Sequence, residues 1–176
     1  MKEYFGDLTI TRGKSQQFLG IDFKIRDDKK IELSAKKQIQ EAIHMVESLG
    51  KKIDGTVTNP AGKHFKKVNE DCPKLDTDRA EVFHSVTVKS LYFTKRTRPD
   101  VEPTVAFLTT RVSKSDKDDW KKLKKMSGFL KSKIDDVRLI GAESLQDLYT
   151  WIDATYAVHN DMRSQTGGCI SFGYGI

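Results

Sequence analysis

The run LYTWIDATYAVHNDMRSQTGG, residues 148–168, reads as a strand over 148–157, a loop over 159–167, and the opening of a second strand that continues over 168–174. Asp153 falls inside the first of these strands. A carboxylate is unexpected there unless it faces solvent or meets a positive partner. Two-metal nucleases hold their ions with several carboxylates, so one aspartate is not such a site. On the residues alone, an exposed strand position or a turn partner explains Asp153 more simply than a metal ligand.

Working outward, a short strand at 137–140 precedes this hairpin, and everything between 78 and 136 has helical character. Ser115 or Asp116 opens the clearest helix, with Trp120, Leu123, Leu130 and Ile134 near one face and lysine on the other. Residues 101–112 are mostly apolar and predict a buried helix with Pro103 in its first turn. Another helix, capped by Asp78 or Thr77, carries Val82, Val86, Lys89, Leu91 and Phe93 up to Arg96, before Pro99 breaks it. Residues 51–78, with Gly55, Pro60, Gly62 and Pro73, read as an extended connector and the most mobile segment.

Further upstream, Leu19, Ile21, Phe23 and Ile25 alternate with polar residues over 18–25, the period of a half-buried strand. A turn at 26–30, a short strand at 31–33, and a helix capped by Ser34 and stopped by Gly50 follow. The change from helices to strands near residue 136 sets a boundary. The expected fold class is α+β.

Composition narrows the partners. Charged residues make up 32% and the formal net charge is +6, which suits either a polyanionic partner or a solvated basic surface. Lysines gather at Lys63, Lys66 and Lys67 and again through 114–133. No run approaches the roughly 20 apolar residues of a membrane span, and the N-terminus lacks the apolar core of a signal peptide, so a cytoplasmic or nuclear setting is expected. Cys72 and Cys169 lack zinc-site spacing and read as reduced thiols.

Other chemistry is thinly represented. His44, His64, His84 and His159 have no Cys or carboxylate at metal-ligand spacing, and His84 is expected to pack against a neighbour. The glycines at 167–168 and 173–175 are followed by no Lys-Ser or Lys-Thr pair, and Ser85 and Ser164 form no nucleophile elbow. Trp120 and Phe129 offer ring surface for stacking, but their helical spacing with Leu123 and Leu130 predicts core packing.

The 148–168 run also resembles the first strand, loop and second strand of the ribonuclease H domain in copia-type retrotransposon polyproteins. Asp153 is followed by a small residue and an aromatic, and Asp161, Arg163, Ser164, Thr166, Gly167 and Gly168 match the loop pattern. Phe5, Gly6, Asp7 and Leu8 through Arg12 and Gly13, then Phe18, Leu19, Gly20 and Ile21, look like the end of the reverse transcriptase palm. Phe83, His84 and Ser85, the run Lys95-Arg96-Thr97-Arg98-Pro99-Asp100, then Val105 to Leu108, and Asp119-Trp120 through Leu123 resemble its thumb and connection. The pieces stand in the family's order.

The resemblance implies an end of palm over 1–50, thumb and connection helices over 51–136, and the truncated start of a ribonuclease H-like sheet over 137–176. It implies a parent that is an RNA-directed DNA polymerase with ribonuclease H and Mg²⁺, bound to an RNA–DNA hybrid and taking no small-molecule substrate. It also implies that Asp153 is a vestigial catalytic and metal position. The chain departs from the family in lacking any Tyr-x-Asp-Asp motif; Asp27-Asp28 lies in a turn and Asp118-Asp119 opens a helix, so neither pair replaces it. The remaining ribonuclease H acids are expected beyond Ile176, leaving this stretch without catalysis and without a metal of its own. Lys121, Lys122, Lys124 and Lys125 then track a nucleic-acid backbone or simply solubilise their helix. Lys95, Arg96 and Arg98 hold phosphates or pair with Asp100 and Glu102. A domesticated or degenerate basic nucleic-acid-binding protein is the alternative.

Overall fold

A computed structural model of the chain describes residues 11–50, 52–157, 162 and 164–174. Phe5, Gly6, Asp7, Leu8, His159, Asp161 and Arg163, used in the reading above, lie outside them. Among the described residues the fold is mixed α+β, with four α-helices, a five-stranded antiparallel sheet and a separate two-stranded one.

Strands β1 (Ser15–Phe18) and β2 (Ile21–Ile25) form a hairpin whose two-residue turn, Leu19 and Gly20, has φ of 49° and 76°. Positive φ at both positions matches the right-handed twist of the flanking strands. The sequence placed Leu19 in the strand alternation; the turn takes it instead, leaving it exposed. Strand β3 (Ile31–Ser34) pairs with β2 after a turn in which Lys29 carries a φ of 63°. Ile21 and Leu33 are buried beneath this sheet, with Phe23 and Ile31 packed beside them.

Helix α1 (Lys36–Glu47) turns Ile39, Ala42, Ile43 and Val46 inward, the spacing of one helical face. Its cap position is Ala35, not Ser34, because Ser34 remains in the β3 ladder opposite Asp22. Helix α2 (Thr77–Thr97) starts one residue earlier than the sequence suggested, because the Asp76 carboxylate accepts the Arg79 N–H at 2.9 Å and caps it. Phe83, Val86 and Phe93 are buried along it, whereas His84 is exposed rather than packed. The apolar 101–112 stretch is not one helix: a 3₁₀ turn at Pro99–Val101 leads into α3 (Glu102–Thr109), with Pro103 in its first turn, and a second 3₁₀ turn follows at Val112–Lys114. Helix α4 (Lys117–Ser132) buries Leu123, Met126 and Leu130 completely.

The connector crosses α4 and is tied to it. Lys131 Nζ donates to the Glu47 carboxylate at 2.7 Å and to the Ile53 carbonyl at 3.2 Å, and Ser132 Oγ donates to the Val57 carbonyl. A Cβ at Gly128 would stand 2.6 Å from the Asp54 carbonyl oxygen, so glycine is what lets the backbones approach.

Strand β4 (Arg138–Ala142) pairs with β3, and β7 (Gly173–Tyr174) with β4, giving the order β1-β2-β3-β4-β7. The sheet therefore runs across residue 136. The Lys30 ammonium sits 3.3 Å over the Tyr174 ring and reinforces that join. Strands β5 (Tyr149–Thr155) and β6 (Gln165–Ser171) form a separate two-stranded ribbon with Asp153 opposite Gly167. Every residue of β5 is exposed.

Candidate nucleic-acid interface

Most of the singled-out cations ride on α4, whose start is fixed by a buried ion cluster. The Asp116 carboxylate accepts the N–H of Asp118 at 2.8 Å and of Asp119 at 2.9 Å, while the Asp119 carboxylate reaches back to the Asp116 N–H. Arg111 donates to Asp119 at 2.9 Å and to Asp116 at 3.1 Å. All three side chains are buried. Burial pushes the Asp119 carboxyl above the usual carboxylate range, and Arg111 offsets this only in part. Burial acts the same way on Asp116, but the amides of Asp119 and Asp118 together with Arg111 outweigh it and hold that carboxyl low. No local pattern in the sequence marks Arg111 as their partner.

From this fixed start the lysines separate into distinct roles. Lys122 is largely buried; it pairs with Asp118 at 3.2 Å, donates to the Lys67 carbonyl at 2.7 Å, and lies 4.8 Å over the Phe107 ring. It fastens the connector to α4. Lys121 and Lys125 are exposed, with no ion pair or side-chain hydrogen bond among the described residues. Lys124 is half-buried and stands away from the wall that Lys121, Lys122 and Lys125 share.

That wall faces the connector across a groove of about 650 Å³, lined on the other side by Pro60, Gly62, His64, Phe65 and Lys67. Phe65 packs its edge on Phe107, with ring centroids 5.6 Å apart, and so holds the connector wall in place. The connector is aperiodic, so the sequence offered no sign that Lys67 and His64 would join α4 in lining one groove.

The second basic set lies elsewhere. Arg98 is 2% exposed; its guanidinium meets the Asp100 carboxylate at 2.7 and 2.9 Å and the Lys133 carbonyl at 2.9 Å, and it stands 5.6 Å from the buried Phe129 ring. It closes the ends of α2 and α4 rather than facing solvent. Lys95 is exposed and pairs loosely with Glu102 at 3.6 Å, while exposed Arg96 lies 4.0 Å over the Tyr92 ring. Arg98 binds the Lys133 carbonyl at the C-terminal end of α4, about 12–18 Å along the helix axis from Lys121 and Lys125 by the rise per residue. None of Lys95, Arg96 and Arg98 lines the groove beside Lys121 and Lys125. Trp120 is half-buried and Phe129 buried in the core, as their spacing predicted.

Asp153 is exposed on β5. Among the described residues no group of three or more His, Cys, Asp or Glu side chains is placed to hold a metal ion. A lone carboxylate does not clamp two cations, so these residues do not fit the Mg²⁺ pair of a ribonuclease H. Among the same residues, no helix is long and apolar enough to cross a membrane.

No family model, curated protein or solved structure matches the chain.

Proposed function

We propose that the chain is part of a copia-type retroelement polyprotein, the C-terminal region of its reverse transcriptase joined near residue 136 to the first strands of ribonuclease H. Its own task in this reading is to hold nucleic acid, not to extend or cut it. The observation that carries the proposal is the order of the motifs, from Phe18-Leu19-Gly20-Ile21 through Asp119-Trp120 to the 148–168 run. The two-stranded ribbon bearing Asp153 is compatible with it. Lys121 and Lys125 meet the phosphates of an RNA–DNA hybrid, Lys95 and Arg96 give a second foothold, and Lys122 and Arg98 serve the fold. The setting is cytoplasmic or nuclear. Asp153 keeps an inherited ligand position without a bound Mg²⁺.

The test is hybrid binding followed by anisotropy across a salt series, with primer-extension and hybrid-cleavage assays in Mg²⁺. Expected are binding that weakens steeply with salt and no turnover. Extension or cleavage by the purified chain would overturn the non-catalytic part, and salt-insensitive or undetectable binding the nucleic-acid part.

A second reading, a domesticated basic binding protein that folds by itself, is favoured by one observation: β4 and β7 are paired into the same sheet as β1 to β3. Slow hydrogen exchange over residues 140–176 supports this reading, and uniformly fast exchange there supports the first.

A further inference from the structure

We infer that the groove between the connector and α4 takes single-stranded nucleic acid in preference to duplex. The inference deepens the reading above, on which it rests for the contact between α4 lysines and phosphate. Three observations carry it. The groove is concave and about 650 Å³, within the range of sites that enclose a small ligand or a short flexible segment. Its free cations stand on opposing walls, Lys67 on the connector and Lys121 and Lys125 on α4, and none of them has an ion pair or side-chain hydrogen bond among the described residues. Of the two lining carboxylates, Asp118 is already engaged by Lys122 and only Glu70 is unengaged, so positive potential dominates.

A strand lying between the walls brings phosphates within reach of both. The exposed ring of His64 and the half-exposed ring of Phe65 offer surfaces for an unpaired base. A duplex is a rigid convex rod whose bases are already stacked; it touches the α4 rim and cannot enter. Lys122 is excluded from the ligand set because its ammonium is committed to Asp118 and the Lys67 carbonyl.

The experiment uses the full chain and fluorescence anisotropy with a labelled oligothymidine, the corresponding DNA duplex, an RNA–DNA hybrid, and ATP as competitor. The expected result is tighter binding of the single strand than of either duplex, with ATP competing only weakly. Lys67→Glu, whose backbone carbonyl still accepts from Lys122, should weaken single-strand binding on the order of tenfold and lower its salt slope by about 0.7, one phosphate contact. Hybrid binding should stay nearly unchanged. Lys67→Arg should restore the affinity, and Lys52→Glu, a charge reversal at another exposed site, should change it by less than about twofold. Thermal melting confirms that each variant is folded.

If Lys67→Glu leaves single-strand binding unchanged while Lys121→Glu with Lys125→Glu abolishes hybrid binding, the groove inference falls and the α4 reading stands. If no nucleic acid binds, both fall. If ATP competes as well as the oligonucleotide, the groove is a nucleotide pocket and the single-strand assignment is overturned.

Discussion

The helical layer of α2, α3 and α4 and the ribbon of β5 and β6 are both rich in large apolar side chains, yet they use them oppositely. In the layer, Phe83, Phe93, Leu108 and Leu123 are wholly buried. In the ribbon, Trp151, Ile152 and Ile170 are 49%, 75% and 64% exposed, with Tyr149 stacked on Trp151 at the surface. The difference is geometric. A helix needs one partner to cover its apolar stripe, and α2 has neighbours in α1, α3 and α4. A two-stranded ribbon has two faces and two edges, and backbone pairing satisfies only its middle. Apolar content therefore predicts burial only where the topology brings a second layer.

If this contrast is correct, substitutions in the two regions must differ sharply. Phe93→Ala should cost about 3–5 kcal/mol through the cavity it opens, whereas Ile152→Ala should stay within about 0.5 kcal/mol. Comparable losses at the two sites would break the comparison. Asp119→Ala should cost about 1.5–3 kcal/mol, because Arg111 loses one of its two carboxylate acceptors while keeping Asp116, and the Asp116 N–H loses its own. Chemical denaturation measures it, and a loss under about 1 kcal/mol would show that the cluster is hydrated. Gly128→Ala follows, at about 1–3 kcal/mol, as the new methyl meets the Asp54 carbonyl.

The smallest expected effect is the pH dependence. Asp116, Glu47 and Asp76 have carboxyls held below their ordinary values, Asp116 by the amides and Arg111 that outweigh its burial, Glu47 by Lys131 and the Ile53 amide, Asp76 by the Arg79 amide. Their stabilisation is complete above the unfolded carboxylate range near about 4 and is lost as pH falls through the folded values. Asp119, raised by burial, acts in reverse: stability declines as pH rises from its unfolded value to its folded one. The melting temperature should thus fall on acidification, and Asp119→Asn should remove the opposing contribution. A melting temperature that rises below pH 4 would contradict the ordering of these causes.

Local pattern made much of this legible. Helix α4 declared itself through Asp116, the Leu123 and Leu130 stripe and the lysine face; the β2–β3 hairpin through Ile21, Phe23 and the 26–30 turn. What stayed hidden depended on residues distant in sequence. Strand β1, Ser-Gln-Gln-Phe, carries no apolar alternation and exists because β2 supplies its hydrogen bonds. Arg98 and Lys121 are both cations on or beside helices, and only the tertiary fold sends one inside and leaves the other free. The groove behaves the same way: its α4 wall was visible in the lysine spacing, its connector wall was not.

The pairing of β3 with β4 sets a schedule for the chain as it is made. Ile31 faces Ile140, so the open edge of β3 exists on the ribosome long before its partner is synthesised. At about 5–20 residues per second that edge waits several seconds, during which helices α1 to α4 emerge. Closing the sheet is then a late, non-local and slow event. A nascent chain stalled before residue 138 would carry a hydrogen-bonding template that other chains could join, which places the moment of greatest aggregation risk during translation rather than after it.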